Sequence, residues 1–122
     1  MRAALLTEYG DVDKLEIRDV PEPEPRPGEV KVRVAASSIN PIDYWTRSGR
    51  LQNEFPLVLP AILGRDVSGE VVRVGRGVTL ARAAAERSLV IPIARRVPFA
   101  QIREAHSIAE TGAEGKVVLR MY

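Results

Sequence analysis

Cysteine is absent from this chain of 122 residues. Its absence excludes disulfides, thiolate nucleophiles and cysteine-ligated zinc. Histidine occurs once, at His106, so a histidine-rich metal cluster is excluded as well and no metal site is expected. Aromatic residues make up 5% and do not interleave with basic ones, which argues against single-stranded nucleic acid as a partner. No apolar run approaches the roughly 20 residues of a membrane-spanning helix. Met1-Arg2 leads straight into a strand-like segment without the pattern of a secretory leader. A soluble cytoplasmic protein with neither a membrane nor a nucleic-acid partner is the default expectation.

The chain does hold enough apolar residues (45%) to close one modest core, so a single domain is expected. Net charge is 18 − 16 = +2, but it is unevenly spread. Eight acidic residues face four basic ones between Met1 and Glu29, whereas five arginines face only Glu86 between Ala81 and Arg103. Two differently charged solvated faces account for this pattern.

The stretch Gly64 to Val78, GRDVSGEVVRVGRGV, organises the chain. Its β-branched content predicts a strand closed by a Gly75-Arg76-Gly77 turn. Strict alternation would put Val67, Gly69 and Val71 on one side and Ser68, Glu70, Val72 and Val74 on the other. Gly69 inside the strand signals a bulge or the close approach of another backbone or a ligand. Arg65 and Asp66 stand just before it, at a rim.

Upstream, Ala3–Leu6 and Leu15–Val20 are short strand candidates separated by a turn at Glu8–Asp11. Pro21, Pro23, Pro25 and Pro27 make the next segment an extended surface connector, because each removes a donor and fixes φ. From Glu29 to Ser37, Val30, Val32, Val34 and Ala36 alternate with Glu29, Lys31, Arg33 and Ala35, the pattern of a half-buried strand with one wet face. Asn40 then offers an N-cap and Pro41 a first helical residue, so a short helix should run to about Ser48 and end at Gly49. Gln52–Pro60 is a loop.

Beyond Val78 the character changes abruptly. Leu80–Arg87 is helix-forming, Leu89–Ile93 is a strand candidate, and Pro98 opens a helix. That helix carries Phe99, Ile102, Ala105, His106 and Ala109 on one stripe and stops at Gly112. Lys116–Met121 is a last strand. Six strand candidates and three helices, strand-rich first, predict a mainly β, α+β fold: a partly open β-barrel with peripheral helices, not a doubly wound order.

Few residues present chemistry. Gly75-Arg76-Gly77 looks like the start of a dinucleotide fingerprint, but its third glycine position is Leu80 and no acid follows about twenty positions on. His106 titrates near neutrality and suits a general base, yet its place on the apolar stripe favours a packed or capping role. Asn40 and Asp43 lie at one strand-to-helix junction, one turn apart. Capping and dipole compensation account for both, and the same placement also aims both at one cleft mouth. Tyr44, Arg47 and Arg65 are weaker candidates for the same wall.

The opening MRAALLTEYGDVDKLEIRDVPEPEPRPGEVKVRVAASSINPIDYWTRSG, followed by FPLVLPAILGRDVSGEVVRVGRGV, resembles the start of a medium-chain dehydrogenase/reductase. It is most similar in pattern to the zinc-independent NADPH:quinone oxidoreductases. The tail VPFAQIREAHSIAETGAEGKVVLRM resembles the segment that returns to the family's GroES-like catalytic domain after the cofactor domain. Zinc-dependent relatives would carry a cysteine near Asn40 and Gly-His-Glu where Gly64-Arg65-Asp66 stands.

The resemblance implies a GroES-like fold, with residues 1–79 and 80–122 as two flanking parts of one catalytic domain joined where the nucleotide-binding domain would be. It implies a quinone or enone substrate, NADPH as the family's cofactor, and Asn40 and Asp43 beside the nicotinamide, with Tyr44, Arg47 and Arg65 as further substrate-wall residues. Without the nucleotide domain, this chain is expected to bind no cofactor itself and to have little or no turnover. The alternative expectation is a non-enzymatic module that self-associates, as a homo-oligomer, or binds a partner through surface that the lost domain once covered.

Overall fold

The computed structural model describes residues 1–78 and 93–122. The expected helix at Leu80–Arg87, and the expected strand at Leu89–Ile93 up to residue 92, lie outside the described residues.

The chain opens with β1 (Arg2–Leu6), a 3₁₀ turn at Val12–Lys14 and β2 (Leu15–Asp19). The long β3 (Val30–Ile39), α1 (Pro41–Arg47), the short β4 (Ala61–Ile62) and β5 (Ser68–Val74) follow. The tail supplies β6 (Ile93–Pro98), a 3₁₀ turn at Phe99–Gln101, α2 (Ile102–Glu110) and β7 (Lys116–Arg120).

The strands form two sheets, ordered β2-β1-β4 and β5-β3-β7-β6. Among the described residues they do not close into a barrel, so the fold is a mainly β, α+β arrangement with two α-helices at the edge. No described helix is long and apolar enough to cross a membrane.

β3 is the axis of the second sheet. Its first half pairs antiparallel with β5, and its second half pairs antiparallel with β7, from Ala36 opposite Arg120 to Ile39 opposite Val117. The C-terminal segment is thus hydrogen-bonded into the sheet built by the N-terminal one. β6 runs parallel to β7, and α2 makes the crossover that a parallel pair requires. The expected strand ended at Ile93; among the described residues β6 runs from Ile93 to Pro98. The Arg95-Arg96 pair hides an edge strand whose outward residues are exposed.

The apolar residues of both sheets and α2 meet at one end of the molecule. Leu6, Leu15, Ile39, Val97, Ile102, Ala105, Val117 and Leu119 form a buried cluster. The stripe on α2 faces it as its period requires, with Ile102, Ala105 and His106 buried. A 3₁₀ turn at Phe99–Gln101 intervenes between Pro98 and the α-helix proper.

Two expectations are corrected at the other end. Strict alternation along β5 fails because Lys31 faces Arg73 while Val32 faces Val71, which leaves Val72 as an extra residue in a bulge. Val71 and Val74 therefore lie opposite Val32 and Val30, on one face, instead of on two. The dry face expected of β3 is not dry either: Val30 is exposed and Val32 and Val34 are half-buried, because among the described residues no second layer packs tightly on that half of the strand. The signal from Gly69 holds. A Cβ there would stand 2.1 Å from the carbonyl oxygen of Arg33, so only glycine lets the two backbones approach.

Candidate functional site

Where β3 ends, Ile39 turns into the core and Asn40 takes an extended conformation (φ −114°, ψ 160°) that Pro41 favours in its neighbour. Pro41 starts α1 with its fixed φ, and the Asp43 amide donates to the Asn40 carbonyl oxygen at 2.9 Å. The Asp43 carboxylate reaches back to accept from the Asn40 amide at 2.7 Å. Asp43 is buried, and that burial pushes its carboxyl above the usual range; the Asn40 N–H opposes the shift and the nearby Asp66 charge reinforces it.

With the backbone so fixed, the Asn40 side chain points away from its own helix. Its Nδ2 donates to Asp66 Oδ2 at 2.9 Å, and its Oδ1 accepts from Lys116 Nζ. Ser38 Oγ donates to the same Asp66 carboxylate, Ser37 Oγ donates to the Asp66 carbonyl oxygen at 2.8 Å, and Lys116 Nζ lies 3.5 Å from Asp66 Oδ2. The Ser38 hydroxyl, then the Asn40 amide, hold the Asp66 carboxyl below the usual range, so it is ionised at neutral pH. Four segments meet here: the end of β3, the start of α1, the approach to β5 and the start of β7.

Asn40 and Lys116 line a cleft of about 450 Å³ whose other walls include Ile39, Tyr44, Ala109 and Val117. The volume falls in the range of small-molecule sites, and the lining has their character: apolar walls with a few convergent polar groups. A second cleft, of about 670 Å³, opens between the two sheets among Ala4, Val32, Val34, Leu63 and Leu119, with Asp66 on its rim.

The structure thus brings Asn40, Asp43 and Tyr44 together. Tyr44 is half-buried, stacked edge-to-face on Trp45 at 6.0 Å and 83°. Arg65 is exposed beside the group, and its charge acts on Asp43. Arg47 lies elsewhere. It is 1% exposed, donates to the Gly10 carbonyl oxygen at 2.6 Å and pairs with Glu110, tying α1 to α2 and to the β1–β2 connection. Beside it His106 is 3% exposed, and burial, helped by the Arg47 charge, lowers its pKa to about 4. A neutral packed histidine results, as the stripe suggested.

Lys116 was not marked by its sequence. It is the polar first residue of a strand and no local pattern singles it out. Only the β3–β7 register carries it to Asn40 across 76 positions. Among the described residues no three His, Asp or Glu side chains converge as a metal site requires.

Residues 26–88, just over half of the chain, match the family model of the alcohol dehydrogenase GroES-like domain. The chain belongs to that family.

The relatives matched include proteins named as oxidoreductases and proteins named as synaptic vesicle membrane protein VAT-1 homolog-like. The mitochondrial NAD(P)H oxidoreductase RTN4IP1 of Dictyostelium discoideum is 40% identical over 82 residues, 64% of this chain and 23% of that protein. The chloroplast envelope quinone oxidoreductase homolog of Arabidopsis thaliana is 39% identical over 79 residues, 64% of this chain and 24% of that protein. Among solved structures, mycobacterial Rv1454c complexed with NADPH is 39% identical with a TM-score of 0.58, covering 65% of this chain and 23% of that one. The GroES-like chain thus spans about a quarter of the length of the curated relatives it matches.

Proposed function

We propose that this chain is the substrate-side half of an NAD(P)H-dependent quinone or enone oxidoreductase unit, and that it has little or no turnover by itself. The observation that carries this reading is the polar group at Asn40, Asp66 and Lys116 on the edge of an apolar cleft. It is supported by relatives named for NAD(P)H and quinone oxidoreduction. In this reading Asn40 and Asp43 form the wall beside the reacting ring, Asn40 by contact and Asp43 by fixing the backbone that aims it. Tyr44 forms the apolar side. Arg65 stands at the rim. Arg47 acts only by holding the two helices together. Residues 1–79 and 80–122 are two parts of one catalytic domain.

The described residues do not fit the dinucleotide itself. The Gly75-Arg76-Gly77 turn packs its backbone on the connector, where a Cβ on Gly75 would stand 2.0 Å from the Arg26 carbonyl oxygen, so it offers no cradle to a phosphate. Neither described sheet has the parallel βαβ order at a glycine-rich turn that holds a pyrophosphate. In this reading NADPH is the cofactor of the intact reductases and not a ligand of this chain. Calorimetric titration with NADPH is expected to give no binding heat. Saturable heat, or NADPH oxidation by a quinone at more than about 1 s⁻¹, would overturn this account.

A second reading, a self-associating module without activity, is favoured by one observation. Val67, Val71, Val72 and Val74 are all exposed, and the outer edge of β5 is unpaired among the described residues. Sedimentation that shows a concentration-dependent homo-oligomer, abolished by Val71→Lys, supports it. A monomer across a wide concentration range rejects it.

A further inference from the structure

We propose that Lys116 is the hydrogen-bond donor that receives a carbonyl oxygen of a neutral, flat, apolar ligand at the mouth of the 450 Å³ cleft, with Asn40 as its partner donor. This deepens the substrate-wall reading and rests on it.

Donor bookkeeping leads there. An ammonium has three N–H donors and no acceptor. One donor of Lys116 goes to Asn40 Oδ1, and a second faces Asp66 Oδ2 at 3.5 Å. The third has no protein partner among the described residues. The Asn40 amide is oriented by the same contacts: its oxygen faces Lys116, so its nitrogen faces Asp66 and keeps a second N–H. Both residues line the cleft, whereas Asp66 does not, so the carboxylate holds the two donors from behind.

Charge narrows the ligand class. Lys116 and Asp66 together carry no net charge, so an anionic ligand approaching Lys116 would meet the Asp66 carboxylate just beyond it. A neutral carbonyl accepts a hydrogen bond without that repulsion. The rest of the lining, Ile39, Tyr44, Ala109 and Val117, suits a ring. Lys116 is the first residue of β7 and stands opposite Ile93 of β6, so the donor reaches Asn40 only once β7 has joined β3.

The test uses the whole chain, labelled with ¹⁵N, and tetramethyl-1,4-benzoquinone as probe, whose fully substituted ring resists addition of an amine. In the wild type the amide signals of Ile39, Tyr44 and Val117 are expected to shift saturably. Lys116→Met should weaken the affinity about tenfold, the size of one lost charge-assisted hydrogen bond. Lys116→Arg should restore part of it, and the distant Lys14→Met should change nothing. Lys116→Gln, which keeps a donor, replaces the Met variant if that one loses its native spectrum, and is expected to fall between the two. Equal affinity in wild type and Lys116→Met overturns the assignment of Lys116 and leaves the substrate wall standing. No response at the cleft in any variant overturns both.

Discussion

The two halves of β3 lie in different surroundings although their residues are alike. At its far end Ile39 is 6% exposed, packed beneath α2 and against Val117 of β7. At its near end Val30 is 37% exposed, and its partner Val74 on β5 is 46% exposed. Each half of β3 pairs antiparallel with one strand, the near half with β5 and the far half with β7, so the number of partner strands does not distinguish them. A sheet becomes a core only where a second layer lies on it, and here that layer is α2 with β1 and β2. The bare half falls inside the stretch that matches the GroES-like model, in relatives about four times longer than the match. The stability of the molecule therefore resides at the end that holds α2, and the open end is held mainly by its ladder.

The largest test of this contrast is Leu15→Ala. Leu15 is 2% exposed, and its loss is expected to destabilise by about 3 kcal/mol. A lower urea midpoint with an unchanged slope is the measurement. An effect near zero would mean that the cluster is not the core of the fold.

The next test sharpens the same end by pH. His106 has a pKa of about 4 in the folded chain against 6.5 unperturbed, so the unfolded chain takes up the proton first as pH falls. The stability tied to its neutral form is fully present above pH 6.5 and is lost progressively down to pH 4. The difference is about 3 kcal/mol. Asp43, raised by burial, works in the opposite direction at the acid end of this range, so the wild type must be compared with His106→Leu at each pH. The loss between pH 7 and pH 4 should be markedly smaller in the variant. Equal slopes would show that His106 is solvated.

The smallest effect is expected at the open end. Val72 is 40% exposed and sits in the bulge, and Val72→Ala should change stability by about 0.5 kcal/mol or less. A cost near that of Leu15→Ala would reveal a layer on β5 and erase the distinction between the two ends.

How far each part was legible in the sequence follows the range of the forces that make it. The Asn40-Pro41 start of α1, its stop at Gly49 with φ +83°, the close approach at Gly69 and the proline connector depend on steric and capping interactions within a few residues, and each is found where it was expected. The bulge at Val72 was not legible, because a register shift is a property of two strands and β5 alone does not encode it. The part of β6 beyond Ile93 was not legible, because Arg95 and Arg96 do not mark a strand until the parallel partner β7 is known. Within the site, Asn40 and Asp43 stood out by their junction and Asp66 by its place on a rim. Lys116 did not stand out, and Arg47, an expected wall residue, proved to be an internal tie.

By itself the sequence determined the places of β1, β2, β3, α1 and β7, the kinship with GroES-like reductases, and the exclusion of thiol chemistry. Those are set by side-chain types and their immediate neighbours. Only the tertiary structure decided which half of β3 is covered, that Arg47 faces Glu110 and not the cleft, and that Lys116 meets Asn40 and Asp66. Burial and long-range pairing depend on which surfaces meet when the C-terminal strand joins the sheet, and no local pattern carries that information.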